Sequence, residues 1–202
     1  MIIFGSSGHA QEIHFLLKIK NQNEVNFHVS EELEAVGDLT IINENQLENI
    51  LRGTRENVAA AIAIGSGSIR NKIVDKFSDY NNLVFPNLLL GNEFEMMSIG
   101  SGNIFFPTFY STVNVLIGNH NHFNLKVSLS HDVIIGDFNT FSPSVTIAGR
   151  VKIGDNVFFG VGVSVIDNVS ICSNVVVGAG AVVIKNIISP GTYAGIPAKK
   201  IK

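Results

Sequence analysis

The sequence is almost without cysteine and has no tryptophan. Cys172 is the single cysteine among 202 residues, so a disulfide within the chain is impossible and a cysteine-based metal site is disfavoured. No apolar run approaches the roughly 18 residues that a membrane-spanning helix needs. The opening residues, MIIFGSSGHA, have no basic segment ahead of an apolar one and do not resemble a signal peptide. These absences predict a soluble protein of a reducing compartment, which we take to be the cytoplasm.

Charge is also scarce, and it is spread along the chain. Charged residues make up 15% of the sequence, the net charge is -3, and the 14 Lys and Arg form no block. A partner such as nucleic acid or an anionic membrane surface requires a basic patch, so neither is indicated. Hydrophobic residues are abundant at 46%, together with 19 Gly and 14 Phe. This composition is ample for a buried core and too apolar for a disordered chain.

From Ile99 onward an apolar residue recurs at every sixth position up to Val183, with Ser111 as the exception. A second position, four residues further on, is mostly valine from Val127 onward, and glycine often follows the first position. A period of six does not fit an α-helix, but it fits short strands separated by tight corners. The β-branched residues favour strands, and we expect the glycine and asparagine positions to form corners with positive φ. The pattern therefore predicts an uninterrupted parallel β-solenoid over residues 99–188.

Residues 1–85 follow a different pattern, in which apolar strands alternate with glycine-rich turns and helical segments. We predict strands at Met1–Phe4, Val25–Val29, Ala59–Ile64 and Leu83–Phe85, with helices after the first and third strands. This alternation is typical of an α/β fold with a small βαβαβ parallel sheet. The predicted segments are a Rossmann-like domain at 1–85, a linker at 86–98, an all-β solenoid at 99–188 and a tail at 189–202.

Two glycine-rich turns in the first segment are candidates for phosphate binding. Gly5–Gly8 has GxxG spacing, which suits either a tight turn or a nucleotide-binding loop, because backbone N–H groups at a helix start bind phosphate. The second turn, Gly65–Gly67, follows the third predicted strand. Glu31 follows the second strand, where an acidic residue commonly binds ribose hydroxyls, although ordinary surface acidity explains it equally well.

Four stretches give the chain a resemblance to a known family along nearly its whole length. The stretches are GSSGHAQE (5–12), AIAIGSGSIRNKI (61–73), NLKVSLSHDVIIGDF (124–138) and VVGAGAVVIKN…GIPAKKI (176–201). They resemble bacterial nucleotide-sugar acetyltransferases with hexapeptide repeats. These include the N-acetyltransferases of UDP-, dTDP- or GDP-linked 4-amino-4,6-dideoxysugars and the related sialic acid O-acetyltransferases.

The resemblance implies a fold, an assembly and a co-substrate. The fold would be a nucleotide-sugar-binding Rossmann-like domain followed by a left-handed parallel β-helix. With three hexapeptides per coil, the repeats would make five coils. Three such prisms would pack side by side as a homotrimer. The implied reaction is acetyl transfer from acetyl-CoA to the 4-amino group of a nucleotide-linked sugar, without a metal.

Acetyl transfer from a thioester to an amine requires a base, a donor for the oxyanion and a group that fixes the tautomer of the base. In the resembling family the position of His131 is the general base and the next residue orients it. That residue is commonly Glu, whereas here it is Asp132, so the sequence leaves open whether the contact is direct. The backbone N–H of Gly149 would bind the thioester oxygen, and Asn124 would touch the sugar.

The remaining site residues are predicted from the same resemblance and from their places in the chain. Thr140 falls where relatives often place a histidine near the pantetheine, and Lys199 and Lys200 are weaker candidates for the phosphates of coenzyme A. The loops after the first, second and third strands would bind the nucleotide-sugar through Ser7, Gly8, His9, Ser30, Glu31, Gly65 and Ser68. Small or apolar residues and one lysine would contact the acyl donor, namely Gly149, Gly160, Val161, Gly178, Ala179 and Lys185.

Other interpretations stay open on the sequence alone. The acceptor could be a sugar hydroxyl, as in the sialic acid O-acetyltransferases, or His9 could simply start a helix. The chain could be a non-catalytic solenoid scaffold, although the His131–Asp132 pair argues against that. A metal-dependent solenoid such as a carbonic anhydrase would need His120, His122 and His131 together, and it would leave the N-terminal sheet unexplained. We expect His14 and His28 to be structural, and no acyl-enzyme on Cys172, which lies in a later coil.

Overall fold

The computed structural model describes residues 1–20, 25–30, 40–90 and 97–202. Contacts divide the chain into two compact units, one of residues 1–65 and 69–86 and the other of residues 66–68 and 87–202. Glu31, which we predicted to bind ribose, lies outside the described residues. Within the described ranges, no helix is both long enough and apolar enough to cross a membrane.

The elements of the first unit are β1 Ile2–Phe4, α1 Gly8–Ile19, β2 Phe27–Val29, β3 Ile41–Ile42, α2 Glu44–Gly53, β4 Val58–Ile62, α3 Gly67–Lys76 and β5 Leu83–Val84. The strands form a five-stranded parallel sheet in the order β3-β2-β1-β4-β5. The buried core includes Phe4 and Ile62 from the sheet, Leu47 from α2 and Phe77, which directly follows α3. Strand order reverses between β1 and β4, so the carboxyl ends of these two strands form the switch point at which such sheets bind ligands. The predicted Rossmann-like parallel sheet is confirmed.

The element pair β3 and α2 was not predicted from the sequence. The helix begins with a capping box: the Asn43 side chain accepts from the Gln46 N–H at 2.9 Å, and the Gln46 side chain accepts from the Asn43 N–H at 2.9 Å. Leu47 and Leu51 form its buried face. An asparagine followed three residues later by glutamine is a readable helix-start signal, so this helix was within reach of the sequence.

The second unit is a three-sided parallel β-helix. Its strands are β6 Leu88–Leu89, β7 Met97–Ile99, β8 Ile104–Phe105, β9 Tyr110–Ser111, β10 Val115–Ile117, β11 His122–Phe123, β12 Ser128–Leu129, β13 Ile134–Ile135, β14 Thr140–Phe141, β15 Thr146–Ile147, β16 Lys152–Ile153, β17 Phe158–Phe159, β18 Ser164–Val165, β19 Ser170–Ile171, β20 Val175–Val177, β21 Val182–Val183, β22 Gly191–Ala194 and β23 Lys199–Lys200. The strands form three faces in the orders β19-β16-β13-β10-β7, β23-β22-β20-β17-β14-β11-β8-β6 and β21-β18-β15-β12-β9. From β7 to β21 every third strand pairs in parallel, and the last pair, β22 with β23, is antiparallel. The predicted parallel β-helix is confirmed, and its left-handedness stays a prediction.

The coils extend beyond the predicted repeat at both ends. Ile99 pairs with Ile117, and the same 18-residue step continues along this face to Ile171. Before these coils, β6 pairs with β8 although it lies in the segment expected to be a linker. After them, β22 pairs with β20 and lies in the expected tail. The solenoid therefore has about six turns rather than only the five set by the hexapeptides.

The recurring apolar residues fill the interior of the coils. Phe105, Phe123, Phe141 and Phe159 are all fully buried. They form a continuous stack with ring centroids 4.8, 4.7 and 4.8 Å apart. Aromatic rings in this spacing range attract one another beyond the effect of burial. The excess of phenylalanine in the composition thus has a structural use, because one ring lies above another in four successive coils.

The corners differ from our expectation about glycine. Positive φ recurs every sixth residue, but at residues such as Thr108, Lys126 and Arg150 rather than at the glycines that follow the apolar anchors. At Gly118 and Gly136 a Cβ would instead come within 2.7 and 2.9 Å of a carbonyl oxygen in the next coil. These glycines are therefore required for close approach between coils and not for a left-handed backbone.

A ladder of buried asparagines explains the polar residue in the valine series. The Asn103 side-chain oxygen accepts from the Asn121 N–H at 2.8 Å, the Asn121 oxygen from the Asn139 N–H at 2.8 Å, and the Asn139 oxygen from the Val157 N–H at 2.7 Å. All three asparagines are fully buried. Buried polar groups destabilise a protein unless they are hydrogen-bonded, and these bonds between neighbouring coils compensate for burying the asparagine oxygens.

Candidate active site

One corner of the β-helix carries most of the predicted catalytic residues. The turns after β9, β12, β15, β18 and β21 stack 18 residues apart. We call this the His131 corner, and it consists of Val113, His131, Gly149, Asp167 and Lys185. Successive turns are joined by backbone hydrogen bonds, such as Arg150 N–H to the His131 carbonyl at 2.9 Å and Asn168 N–H to the Gly149 carbonyl at 3.0 Å.

The His131 side chain contacts Asp132 directly. Its Nδ1 lies 2.8 Å from Asp132 Oδ2, and both side chains are 46% exposed. Asn114, from the preceding coil, donates to Asp132 Oδ1 at 3.1 Å. The hydrogen bond with His131, followed by that with Asn114, lowers the pKa of Asp132. The carboxylate is therefore ionised at neutral pH and favours the tautomer that carries its proton on Nδ1, which leaves the Nε2 lone pair available.

Gly149 lies directly beneath the imidazole ring. A Cβ at this position would come 2.7 Å from both Cε1 and Nε2 of His131. Gly149 has no positive φ, so the space for the ring and not the backbone conformation explains the glycine. Within the described part of the chain, the Gly149 N–H donates to no backbone or side-chain acceptor. Ring and backbone donor are thus brought together across adjacent coils.

Further along the same corner, charged side chains follow Gly149. Arg150 donates to the Asn168 side chain at 2.8 Å and lies 3.6 Å from Asp167. Lys185 is exposed two coils beyond Gly149, which at the spacing of paired strands is roughly 10 Å. Lys200, another predicted phosphate contact, instead donates to the Pro190 carbonyl at 2.7 Å. Lys199 is exposed next to it on β23.

The predicted pantetheine residues lie on a different corner. We call this the Gly160 corner, and it consists of Asn124, Ser142, Gly160 and Gly178, at the turns after β11, β14, β17 and β20. Val161 and Ala179 are exposed beside it. A Cβ on Gly160 would come 2.5 Å from Ala179 N. Thr140 lies on β14, which leads into this corner.

Asn124 and His131 therefore flank β12 on separate corners of one coil. Six residues of extended strand span about 20 Å, so the two sets of predicted residues lie at opposite ends of this face. Cys172 follows β19, on the third corner. The predicted separation of this thiol from His131 holds in the structure.

In the first unit, Ser7 ends the loop after β1, and Gly8 and His9 are the first residues of α1. The Gly5 N–H donates to the Val29 carbonyl at 2.8 Å, and the Ser6 hydroxyl donates to the Ser30 hydroxyl at 3.1 Å. Ser7 is the N-cap of α1 without a side-chain capping bond. The loops after β1 and β2 thus meet at the switch point, where we predicted nucleotide-sugar binding.

His9 and the positively charged Arg70 are titratable groups that interact in this region. Burial is the largest influence on His9 and lowers its pKa, Glu12 acts in the opposite direction, and Arg70 lowers it further. Arg70 is fully buried and donates to the carbonyls of Ile64 and Gly65 at 2.8 and 3.1 Å. Burial lowers the pKa of Arg70 to about 9.

Sequence reasoning did not single out Arg70, because one arginine on a helix gives no sign that it is buried. Its two hydrogen bonds hold the turn after β4, which includes the predicted residue Gly65. Ser68 lies in the first turn of α3, where its hydroxyl is 3.0 Å from that of Ser66.

The other histidines do not form a metal centre in the part of the chain that the structure describes. No group of three or more His, Cys, Asp or Glu there is arranged to hold an ion. His120 and His122 are buried, and the His120 ring stacks on Phe138 with centroids 5.2 Å apart. A metal-dependent solenoid therefore finds no support in these residues.

Comparison with known families now adds to the geometry. Residues 1–77 match the PglD N-terminal domain, and residues 150–185 match the bacterial transferase hexapeptide family of six repeats. Together the two models cover more than half of the chain. Their order along the sequence is that of the two structural units.

Solved structures share this two-part architecture over its full length. PerB from Caulobacter crescentus, determined in complex with CoA and GDP-perosamine, is 25% identical, with a TM-score of 0.89 over 100% of this chain and 96% of that one. The two domains and this likeness are those of the hexapeptide-repeat nucleotide-sugar N-acetyltransferases. The fold of this acetyltransferase is shared by the acetyltransferase domain of PglB from Neisseria gonorrhoeae FA1090, solved with acetyl coenzyme A (22% identity, TM-score 0.87, covering 99% and 98% of the two chains). It is also shared by WeeI from Acinetobacter baumannii AYE (22% identity, TM-score 0.85, covering 99% and 98%). The comparison with curated proteins finds no match.

Proposed function

We propose that this enzyme transfers an acetyl group from acetyl-CoA to the 4-amino group of a nucleotide-linked 4-amino-4,6-dideoxysugar, with His131 as general base. The observation that carries the proposal is the arrangement of His131 between Asp132 and Gly149. Complexes of PerB with CoA and GDP-perosamine, and of the PglB domain with acetyl coenzyme A, support the substrate classes. The nucleotide carried by the acceptor sugar is GDP, UDP or dTDP, and comparing turnover on the three linked sugars identifies it.

His131 would accept the proton that the attacking amine loses. With Nδ1 held by Asp132 at 2.8 Å, the basic nitrogen is Nε2, which lies over Gly149. The exposure of the ring leaves room for an acceptor sugar. As the carbon–nitrogen bond forms and the carbon–sulfur bond breaks, the proton on His131 passes to the departing thiolate, which restores the base.

Gly149 would supply the oxyanion donor. Gly149 adjoins the His131 ring, and its N–H has no acceptor in the described chain; a fixed backbone donor stabilises developing negative charge without reorganisation. Lys185, on the same corner, would face the phosphates of coenzyme A. No residue of this corner is a cysteine, which supports direct attack without an acyl-enzyme.

The two corners support a homotrimer with shared sites. The Gly160 corner and the His131 corner lie at opposite ends of the same face of the β-helix. Near the Gly160 corner are Asn124, Gly160, Val161, Gly178 and Ala179. If the His131 corner of one copy packs near the Gly160 corner of the next, the acyl donor contacts both. We further propose that the switch point of the first unit binds the nucleotide-sugar, and that the reaction takes place in the cytoplasm.

The proposal is tested by measuring release of the coenzyme A thiol with acetyl-CoA and a panel of acceptors. The panel contains UDP-, dTDP- and GDP-linked 4-amino-4,6-dideoxysugars and hydroxyl acceptors such as sialic acid. We expect turnover on an amino sugar and a loss of roughly 10²–10⁴-fold in kcat for His131→Asn, the usual contribution of a general base. Nucleotide affinity and the melting temperature serve as controls and should stay unchanged. Turnover of His131→Asn within threefold of the unmodified enzyme, or preference for a hydroxyl acceptor, would contradict the assignment.

A further inference from the structure

Two hydrogen-bonded histidines, His14 on α1 and His28 on β2, lead to the backbone of the loop after β1. His28, on β2, is 1% exposed. Its Nδ1 lies 2.9 Å from the Gly5 carbonyl oxygen, and its Nε2 lies 3.0 Å from Nδ1 of His14, whose ring stacks on it with centroids 5.2 Å apart. Since a carbonyl only accepts, His28 Nδ1 must carry the proton, and its Nε2 then accepts from His14. Both tautomers are therefore determined by the Gly5 carbonyl.

This hydrogen bond sets the orientation of one peptide group. The Gly5–Ser6 peptide is trans, and in a trans peptide the C=O and N–H point in opposite directions. Because His28 binds the Gly5 carbonyl on the buried side, the Ser6 N–H points away from the sheet interior. Among the described residues no acceptor for this N–H is present, and the adjoining Ser7 and Gly8 are exposed.

The backbone at this position would otherwise be free to turn. Gly5 has φ +108, a conformation that glycine adopts readily, so rotation of the peptide costs little unless a side chain holds it. The Gly5 N–H is fixed separately by the Val29 carbonyl at 2.8 Å. His28 is thus the group that holds the carbonyl side of this peptide, at the carboxyl end of β1 beside the switch point.

We propose that His28 is a positioning residue that aims the Ser6 N–H at a phosphate oxygen of the bound nucleotide. The inference rests on the proposed nucleotide-sugar site and assigns a function to a histidine that we expected to be only structural. Loss of the His28 bond would let the peptide rotate and would place a carbonyl oxygen, which repels phosphate, where the donor should be. The acetyl-transfer residues in the β-helix are unaffected by this change.

The test compares three variants of the full-length enzyme by calorimetry with UDP, dTDP and GDP as probes. His28→Asn keeps an N–H donor near the position of Nδ1, His28→Leu removes it, and His14→Leu removes only the outer ring. We expect His28→Leu to weaken the affinity for the best-bound nucleotide about tenfold, the effect of one hydrogen bond to a charged group. His28→Asn and His14→Leu should stay within threefold.

Kinetics then separate positioning from a general loss of structure. For His28→Leu, KM for the nucleotide-sugar should rise about tenfold while kcat and KM for acetyl-CoA stay within twofold. Equal affinity in His28→Leu and the unmodified enzyme, equal losses in the Asn and Leu variants, or a fall in kcat in proportion to a lowered melting temperature would each overturn the inference. So would failure of the unmodified chain to bind any of the three nucleotides. If the nucleotide binds but no amino sugar is acetylated, the proposed function fails while the affinity comparison still tests the role of His28.

Discussion

Adding a single methyl group at Gly149 should displace the catalytic base. In the structure a Cβ there would lie 2.7 Å from Cε1 and Nε2 of His131, whereas ordinary contacts begin at 3.4 Å. The ring must therefore move by at least about 0.7 Å, and displacements of roughly 1 Å in a catalytic group can cost about 100-fold in rate. Gly149→Ala retains the backbone N–H, so the substitution tests the space beneath the ring and leaves the oxyanion donor in place.

The expected result is a loss of roughly 100-fold in kcat, with nucleotide affinity unchanged. The backbone at Gly149 has no positive φ, and His131 is half exposed and can turn toward solvent. The melting temperature should therefore move by no more than about 2 °C, as is usual for surface substitutions. The assay is steady-state release of coenzyme A thiol, with unfolding followed by circular dichroism.

A double-mutant cycle decides whether the effect passes through His131. If Gly149 only makes room for the ring, Gly149→Ala should change the residual rate of a His131→Ala enzyme by less than threefold, because the displaced group is gone. A 100-fold loss in both backgrounds would refute the reasoning. So would full activity of Gly149→Ala in the otherwise unmodified enzyme.

Three further results are expected. Asp132→Asn should lower kcat about 10- to 100-fold, because the amide can hold the His131 proton but no longer stabilises the imidazolium; an unchanged kcat would exclude an orienting role. Asn121→Leu should lower the free energy of unfolding by about 3–5 kcal/mol in urea titrations, since it leaves several buried partners without hydrogen bonds; a loss below about 1 kcal/mol would show that the asparagine ladder is dispensable. Burial lowers the pKa values of His14 and His28, so below about pH 6.5 the unfolded chain binds more protons than the folded one, and the free energy of unfolding should decrease as the pH is lowered. His28→Asn should make this free energy depend less on pH between pH 7.5 and 5.5.

The charges around the histidine pair support that sign. Burial is the main reason for the lowered pKa of both rings, and for His14 the neighbouring His28 and Lys18 act in the same direction. The strands on either side of β2 place Ile3 and Ile41 opposite His28, and neither carries a charge. Protonation of His28 would reverse the hydrogen bond between the rings, because its Nε2–H would then donate to Nδ1 of a neutral His14.

The site was predictable from sequence to different degrees. The pair His131 and Asp132 was predicted from the resemblance of residues 124–138 to the catalytic coil of a known family, and Gly149 lies one 18-residue coil later. Their direct contact, with Asn114 as a third partner, depends on side-chain directions at a corner, which spacing does not define. Arg70 gave no sequence signal, because burial of a charged side chain depends on what packs around it.

The sequence by itself determined that residues 99–188 form a solenoid, because an apolar period of six fits repeated coils and does not fit the 3.6-residue period of a helix. It likewise determined the alternation of strands and glycine-rich turns in the first unit. Only the tertiary structure decided how far the coils extend, because β6 and β22 pair without belonging to the hexapeptide register. Only the tertiary structure showed that a side chain at Gly149 would collide with the His131 ring, and that His28 donates a hydrogen bond to the Gly5 carbonyl. Both are contacts between residues distant in sequence, and the position of a side chain in three dimensions follows from what packs against it.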